Sequence, residues 1–153
     1  LQRLRNKAKS YELDDMVTFH GEVEDQKIES LLLRSDLYLM PSHVTERSND
    51  YWAGEGLGIV YLEAAEFGLP SIATNVGGQT DVVIDGLTGF QIEPTPVALC
   101  ECLESLADDW ETLRSVGKNA KKLATERYNQ RRFKETVLHV LMDGDYECVN
   151  HRR

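Results

Sequence analysis

Two carboxylates, Glu55 and Glu63, stand eight positions apart in Glu55-Gly56-Leu57-Gly58-Ile59-Val60-Tyr61-Leu62-Glu63. The stretch between them is glycine-rich at its start and apolar beyond, as at the beginning of a helix. A helix that opens after glycines presents free backbone N–H groups and the positive end of its dipole, which together make an anion site. At about 1.5 Å of rise per residue, eight positions span roughly 12 Å. That is the reach of an extended sugar–diphosphate–ribose molecule. Backbone amides would hold the phosphates, and one carboxylate at each end would accept hydroxyls.

The flanking elements have to place this helix start at a usable spot. Before it, Ser35-Asp36-Leu37-Tyr38-Leu39-Met40-Pro41 predicts a buried strand over residues 36–40, with the continuous apolar character of a parallel sheet covered on both faces. Residues 41–54 then read as a long polar, irregular loop, a length that in compact domains usually signals function or motion. Tyr51 and Trp52, near its end, suit equally a sugar-stacking surface or an anchor for the loop. The helix, expected over residues 58–67, stops at Phe67-Gly68-Leu69-Pro70, with glycine and then proline past its last turn. Further strands are expected over residues 16–19, 70–74 and 89–92. Helices are expected over residues 1–9, 26–34, 80–84, 97–106, 111–128 and 131–142. Strands alternating with helices imply an α/β fold with a parallel sheet, whose ligands bind at the carboxyl ends of the strands. Pro41 and Ser42 lie at such an end.

Composition narrows the function classes. The chain has 153 residues, 41% apolar and 28% charged, an ordinary globular composition for one domain. Its 17 basic and 26 acidic residues leave a net charge of −9, which disfavours nucleic acid as a partner. No apolar run approaches the roughly 20 residues of a membrane span, and no signal peptide is evident. Cys100, Cys102 and Cys148 lack metal-ligand spacing and read as free thiols, consistent with a cytoplasmic protein. His20, His139 and His151 have no spacing with acids that would make a metal site. His43, in the site-side loop, is a candidate contact that a solvated loop histidine would equally explain. An acidic chain that binds an anionic ligand needs backbone amides or positive charge from elsewhere, and the glycine-rich segment holds no Lys or Arg.

Four blocks carry a resemblance to a known family: Val17-Thr18-Phe19-His20-Gly21-Glu22-Val23; Ser35 through Pro41-Ser42; Glu55 through Ala65; and Gly68-Leu69-Pro70 through Gly77-Gly78 to Asp85-Gly86-Leu87-Thr88-Gly89. In this order and spacing they resemble the donor-binding, C-terminal domain of family 4 retaining glycosyltransferases, which have the two-domain GT-B architecture. The likeness is strong over about half of the chain, residues 17–90, and thins over the helical remainder. It implies a Rossmann-like parallel sheet flanked by helices and a nucleotide-diphosphate sugar as donor, with no metal or other cofactor.

The same resemblance implies roles. Glu63 would accept the ribose hydroxyls. Glu55 would lie beside the transferred sugar and stabilise positive character at the anomeric carbon. Gly56, Leu57, Gly58 and Ile59 would bring backbone amides to the distal phosphate or the sugar, and the backbone of Val23 would meet the nucleobase. Ser42 and His43 are possible loop contacts. The Gly77-Gly78 turn is expected to serve packing rather than ligand contact, and Asp81 stands where many relatives have Glu.

In such relatives the domain opens with strands not evident here, the first carrying an Arg and a Lys that grip the phosphates. The chain is therefore read as a fragment: residues 1–142 a partial donor-binding domain, and 143–153 a polar tail. Its partners would be the donor and the N-terminal acceptor domain of the same protein, with no membrane association indicated. Such a fragment is expected to be inactive alone. The alternative is a non-catalytic nucleotide-sugar binding or regulatory module, which an upstream Arg, Lys and acceptor domain in the parent would argue against. A response-regulator-type domain would need an acidic cluster and a late-strand Lys that the chain lacks. The additional catalytic carboxylates of sugar-nucleotide epimerases are not evident either.

Overall fold

Three parallel strands form the sheet in the computed structural model, which describes residues 1–42, 45–47, 51–53 and 56–143. The chain divides into two units, Leu1–Arg34 and Ser35–Arg153. The first holds α1 (Gln2–Ser10) and α2 (Asp25–Leu32), neither with a buried residue. Within it, the Arg5 guanidinium lies 5.8 Å from the centroid of the Phe19 ring and donates to the Phe19 carbonyl at 3.3 Å. Residues 16–19 form no strand, contrary to expectation. The Met16 and Val17 amides donate back to the Leu13 carbonyl in a helical turn, and a strand exists only where a neighbouring backbone pairs with it.

The second unit carries the sheet. β1 (Tyr38–Leu39) pairs in parallel with β4 (Ser71–Thr74), and β4 with β5 (Gly89–Ile92). Side chains alternate across the strands and divide the core in two. Tyr38, Met40 and Ala73 face one way and pack with Tyr61, Val82 and Val83. Leu37, Ile72, Phe90 and Ile92 face the other and pack with Leu106, Leu113, Leu99 and Leu103. The first layer includes α3 (Ile59–Glu66), and the second α4 (Pro96–Leu106). Burial on both faces explains why these strands lack the polar alternation of a half-exposed sheet.

α5 (Trp110–Arg127) begins in the α4 layer through Leu113 and continues against α3 through Ala120 and Ala124, which meet Ala65. Small side chains bring these helices close. A Cβ on Gly117 would stand 2.1 Å from the Gly68 carbonyl oxygen at the end of α3. The Tyr128 hydroxyl donates to the Asp81 carbonyl at 3.3 Å, and burial, with the Asp81 charge adding to it, pushes its pKa up. α6 (Gln130–Asp143) follows, its start capped by the Asn129 carboxamide oxygen, which accepts from the Arg132 amide at 2.9 Å.

Two further expectations are corrected. The irregular loop over residues 41–54 contains an antiparallel ribbon, β2 (Thr45–Arg47) with β3 (Tyr51–Ala53), in which Glu46 pairs with Trp52. Thr, Tyr and Trp favour strands, and Ser48-Asn49-Asp50 between them is turn-forming. The helix expected over residues 80–84 is a 3-10 turn, Gly78–Asp81. Pro41-to-Gly54 residues 43, 44, 48–50 and 54, and the tail beyond Asp143, lie outside the described residues.

Candidate functional site

The site is built where β1, β4 and the start of α3 converge. The Tyr61 ring is fully buried and its hydroxyl donates to the Met40 carbonyl, tying the first turn of α3 to the carboxyl end of β1. Three residues beyond β1, the Ser42 carbonyl accepts from the Thr74 hydroxyl at 2.6 Å, which joins the segment after β1 to the carboxyl end of β4.

The start of α3 rests on this frame. Gly58, its N-cap, has φ 73°, a left-handed conformation that side chains resist. A Cβ there would also stand 2.5 Å from the Tyr61 ring. Gly78 backs the turn from the opposite strand loop: a Cβ on it would be 2.1 Å from the Gly56 carbonyl oxygen. Both glycines are therefore required by backbone or ring contact. The Gly77-Gly78 turn packs against the turn at 56–58 rather than between strand and helix.

Among the described residues, the N–H groups of Leu57, Gly58 and Ile59 have no hydrogen-bond partner. Leu57 is 40% exposed and Ile59 66% exposed, while Gly58 between them is buried. Glu63 lies one turn further along α3 and is exposed, between half-buried Leu62 and buried Ala64. Glycine turn, free amides and carboxylate thus belong to one helix start. Ser42 joins them at the end of β1, through the Thr74 bond. Val23 is half-buried in the first unit, in the segment before α2. Glu55 and His43 lie outside the described residues, so the eight-position carboxylate spacing has no measured distance.

The electrostatics are one-sided. Between Arg47 and Arg114 the chain has no Lys, Arg or His, and the turn at 56–58, Glu63 and Gln79 fall inside that interval. The helix start therefore offers an anion backbone dipoles and no cation from its own segment. Among the described residues no three His, Cys, Asp or Glu come together as a metal would require, and no helix is long and apolar enough to cross a membrane.

Two residues of the frame, Tyr61 and Gln79, carried no functional signal in the sequence. Tyr61 read as one more apolar position of α3, and Gln79 as a polar residue after two glycines. Their roles depend on partners 21 and 5 positions away.

The model of the glycosyl transferases group 1 family matches residues 1–123, and the chain belongs to that family. It is 29% identical over 138 residues to an alpha-1,3/1,6-mannosyltransferase of Dictyostelium discoideum, covering 90% of this chain and 30% of that protein. It is 33% identical over 109 residues to a D-inositol 3-phosphate glycosyltransferase of Arthrobacter, covering 71% and 24%. The chain thus spans about a quarter to a third of the length of these relatives.

Among solved structures, it matches the C-terminal domain of a glycosyl transferase group 1 family protein from Francisella tularensis with TM-score 0.70 and 25% identity, over 84% of this chain and 62% of that one. An Anabaena protein solved in complex with UDP-glucose shares the fold at TM-score 0.72 and 22% identity, over 93% and 36%. The α/β architecture here is that of the C-terminal domain of GT-B glycosyltransferases.

Proposed function

We propose that this chain is the donor-binding domain of a retaining glycosyltransferase that moves a hexosyl group from a nucleotide-diphosphate sugar to a hydroxyl acceptor. The observation that carries the proposal is the turn at 56–58. It is locked between Tyr61 and Gly78, it opens α3 at the carboxyl ends of β1 and β4, and its amides have no partner among the described residues. The UDP-glucose held by the Anabaena protein of the same fold supports this class of ligand.

In this reading the Leu57, Gly58 and Ile59 amides take the distal phosphate or the sugar, and Glu63 accepts the two ribose hydroxyls. The Val23 backbone meets the base, and Ser42 and His43 are loop contacts. Glu55 stands beside the sugar, where a carboxylate stabilises an oxocarbenium-like transition state by electrostatics. No metal or other cofactor takes part in the proposed reaction. Because the site's own interval holds no cation, the positive charge for the diphosphate comes from elsewhere in the parent protein. The acceptor comes from a separate N-terminal domain, and the reaction takes place in the cytoplasm.

The test is calorimetric titration with UDP, GDP and ADP, repeated on Glu63→Ala. One nucleotide is expected to bind selectively, with about 1–3 kcal/mol lost in the variant. Selective binding that ignores Glu63→Ala would refute the assigned role of Glu63. Failure of the intact parent protein to bind any nucleotide sugar would refute the donor site.

A further inference from the structure

Gln79 is fully buried, and its carboxamide is only half satisfied. Nε2 donates to the Thr74 carbonyl at 3.2 Å and to the Thr74 hydroxyl at 3.1 Å, while Oε1 has no partner among the described residues. The orientation of the amide follows from its neighbours. The Thr74 hydroxyl spends its proton on the Ser42 carbonyl, so towards Gln79 it offers only an acceptor, as does the Thr74 carbonyl. The group facing them must be the NH2, and the unpartnered atom is the amide oxygen.

A buried carbonyl oxygen without a donor costs about 1–3 kcal/mol, so its retention calls for a reason. Its surroundings supply one. The Gln79 Cβ lies 3.6 Å from where a Cβ on Gly58 would stand, and its chain neighbour Gly78 backs the Gly56 carbonyl. The buried Gln79 side chain is therefore a packing neighbour of the turn whose amides are open.

We infer that Gln79 is a positioning residue for the donor-phosphate turn. Its NH2 clamps Ser42, Thr74 and the 77–78 turn into one unit, and its oxygen is the acceptor kept for a backbone N–H of the 57–59 segment as the turn settles on the ligand. Gln79 touches no phosphate itself. This inference rests on the donor-site reading above and adds the residue that sets the geometry of the turn.

The experiment compares wild type with Gln79→Met, which keeps length but neither donates nor accepts in this way, and with Thr74→Val and Thr74→Ser. Two quantities are read well below the thermal midpoint. One is the protection from hydrogen–deuterium exchange that residues 57–59 gain when the nucleotide binds. The other is the affinity ratio between whichever of UDP, GDP and ADP the wild type binds and the matching nucleoside monophosphate. Gln79→Met and Thr74→Val are expected to reduce that protection, read at saturating nucleotide, and to lower diphosphate affinity tenfold or more, with monophosphate affinity within twofold of wild type. Thr74→Ser, which keeps the hydroxyl, restores both. Equal weakening of the two nucleotides, or unchanged protection at 57–59, overturns the inference. Should Gln79→Met fail to fold, the Thr74 pair decides by the same criteria. If this chain alone binds no nucleotide, the same comparison is made in the intact parent protein; absence of binding there refutes the donor reading, whereas binding that ignores Gln79→Met and Thr74→Val refutes the role of Gln79 alone.

Discussion

Two glycine-bearing turns of this domain, 56–58 and 85–89, both lie in blocks that carry the family resemblance, and they differ in one physical respect. At 85–89 the polar groups are consumed internally. The Thr88 hydroxyl donates to the Val82 carbonyl and accepts from the Ile84 amide, both at 2.8 Å, and Asp85 accepts from the Gln91 amide at 2.9 Å. The Gly86 amide donates to the Gly89 carbonyl. At 56–58 the glycines are held as tightly, yet the amides of residues 57–59 and the Gln79 oxygen stay open among the described residues. A turn that satisfies itself serves the fold. A rigid turn that leaves donors open is prepared for a ligand, because preorganised donors lose little freedom on binding.

The contrast breaks most sharply at the glycines. Gly78→Ala forces a methyl group against the Gly56 carbonyl oxygen. It is expected to cost about 1–3 kcal/mol of stability and at least tenfold in nucleotide affinity, measured by denaturant melts and calorimetry. Gly89→Ala sets a methyl 2.4 Å from the Ser71 carbonyl oxygen. A similar stability loss of about 1–3 kcal/mol is expected, but nucleotide affinity of the folded protein should hold; a selective loss of affinity would erase the distinction between the turns.

Thr88→Val removes two buried hydrogen bonds and should lower stability by about 1–3 kcal/mol, again without an affinity change. Glu63→Gln reverses that pattern. Its exposed side chain predicts a stability change within about 0.5 kcal/mol, while affinity for the nucleotide drops.

The smallest effect concerns Tyr128, whose pKa is raised chiefly by burial and then by the Asp81 charge. The folded state therefore holds the phenolic proton more tightly than the unfolded chain does. This contribution is fully present below the unfolded value near 10 and is lost as pH rises through the higher folded value. Melts between pH 9 and 11 (on the order of one unit either side of the phenol value) should show an alkaline decline that Tyr128→Phe reduces.

Local chemistry made much of this legible in advance. Gly68-Leu69-Pro70 marked the end of α3, and the strand over residues 89–92 was placed at its observed bounds, Gly89–Ile92. Misreadings arose where a partner decides. Residues 16–19 are apolar enough for a strand but have no ladder, and residues 45–47 form a ribbon because they pair with 51–53, Thr45 with Ala53 and Arg47 with Tyr51. In the candidate site, Gly58 and Glu63 were visible by type and spacing, whereas Gln79 and Tyr61 were not.

The sequence by itself determined the α/β alternation, the glycine-led start of α3 and the acidic interval without cations, because these depend on residue type and near neighbours. Only the tertiary structure decided which glycine backs which carbonyl, which hydroxyl spends its proton on Ser42, and which buried oxygen is left without a donor. Those are contacts between segments far apart in the chain, and their geometry exists only once the sheet has brought the strand ends together.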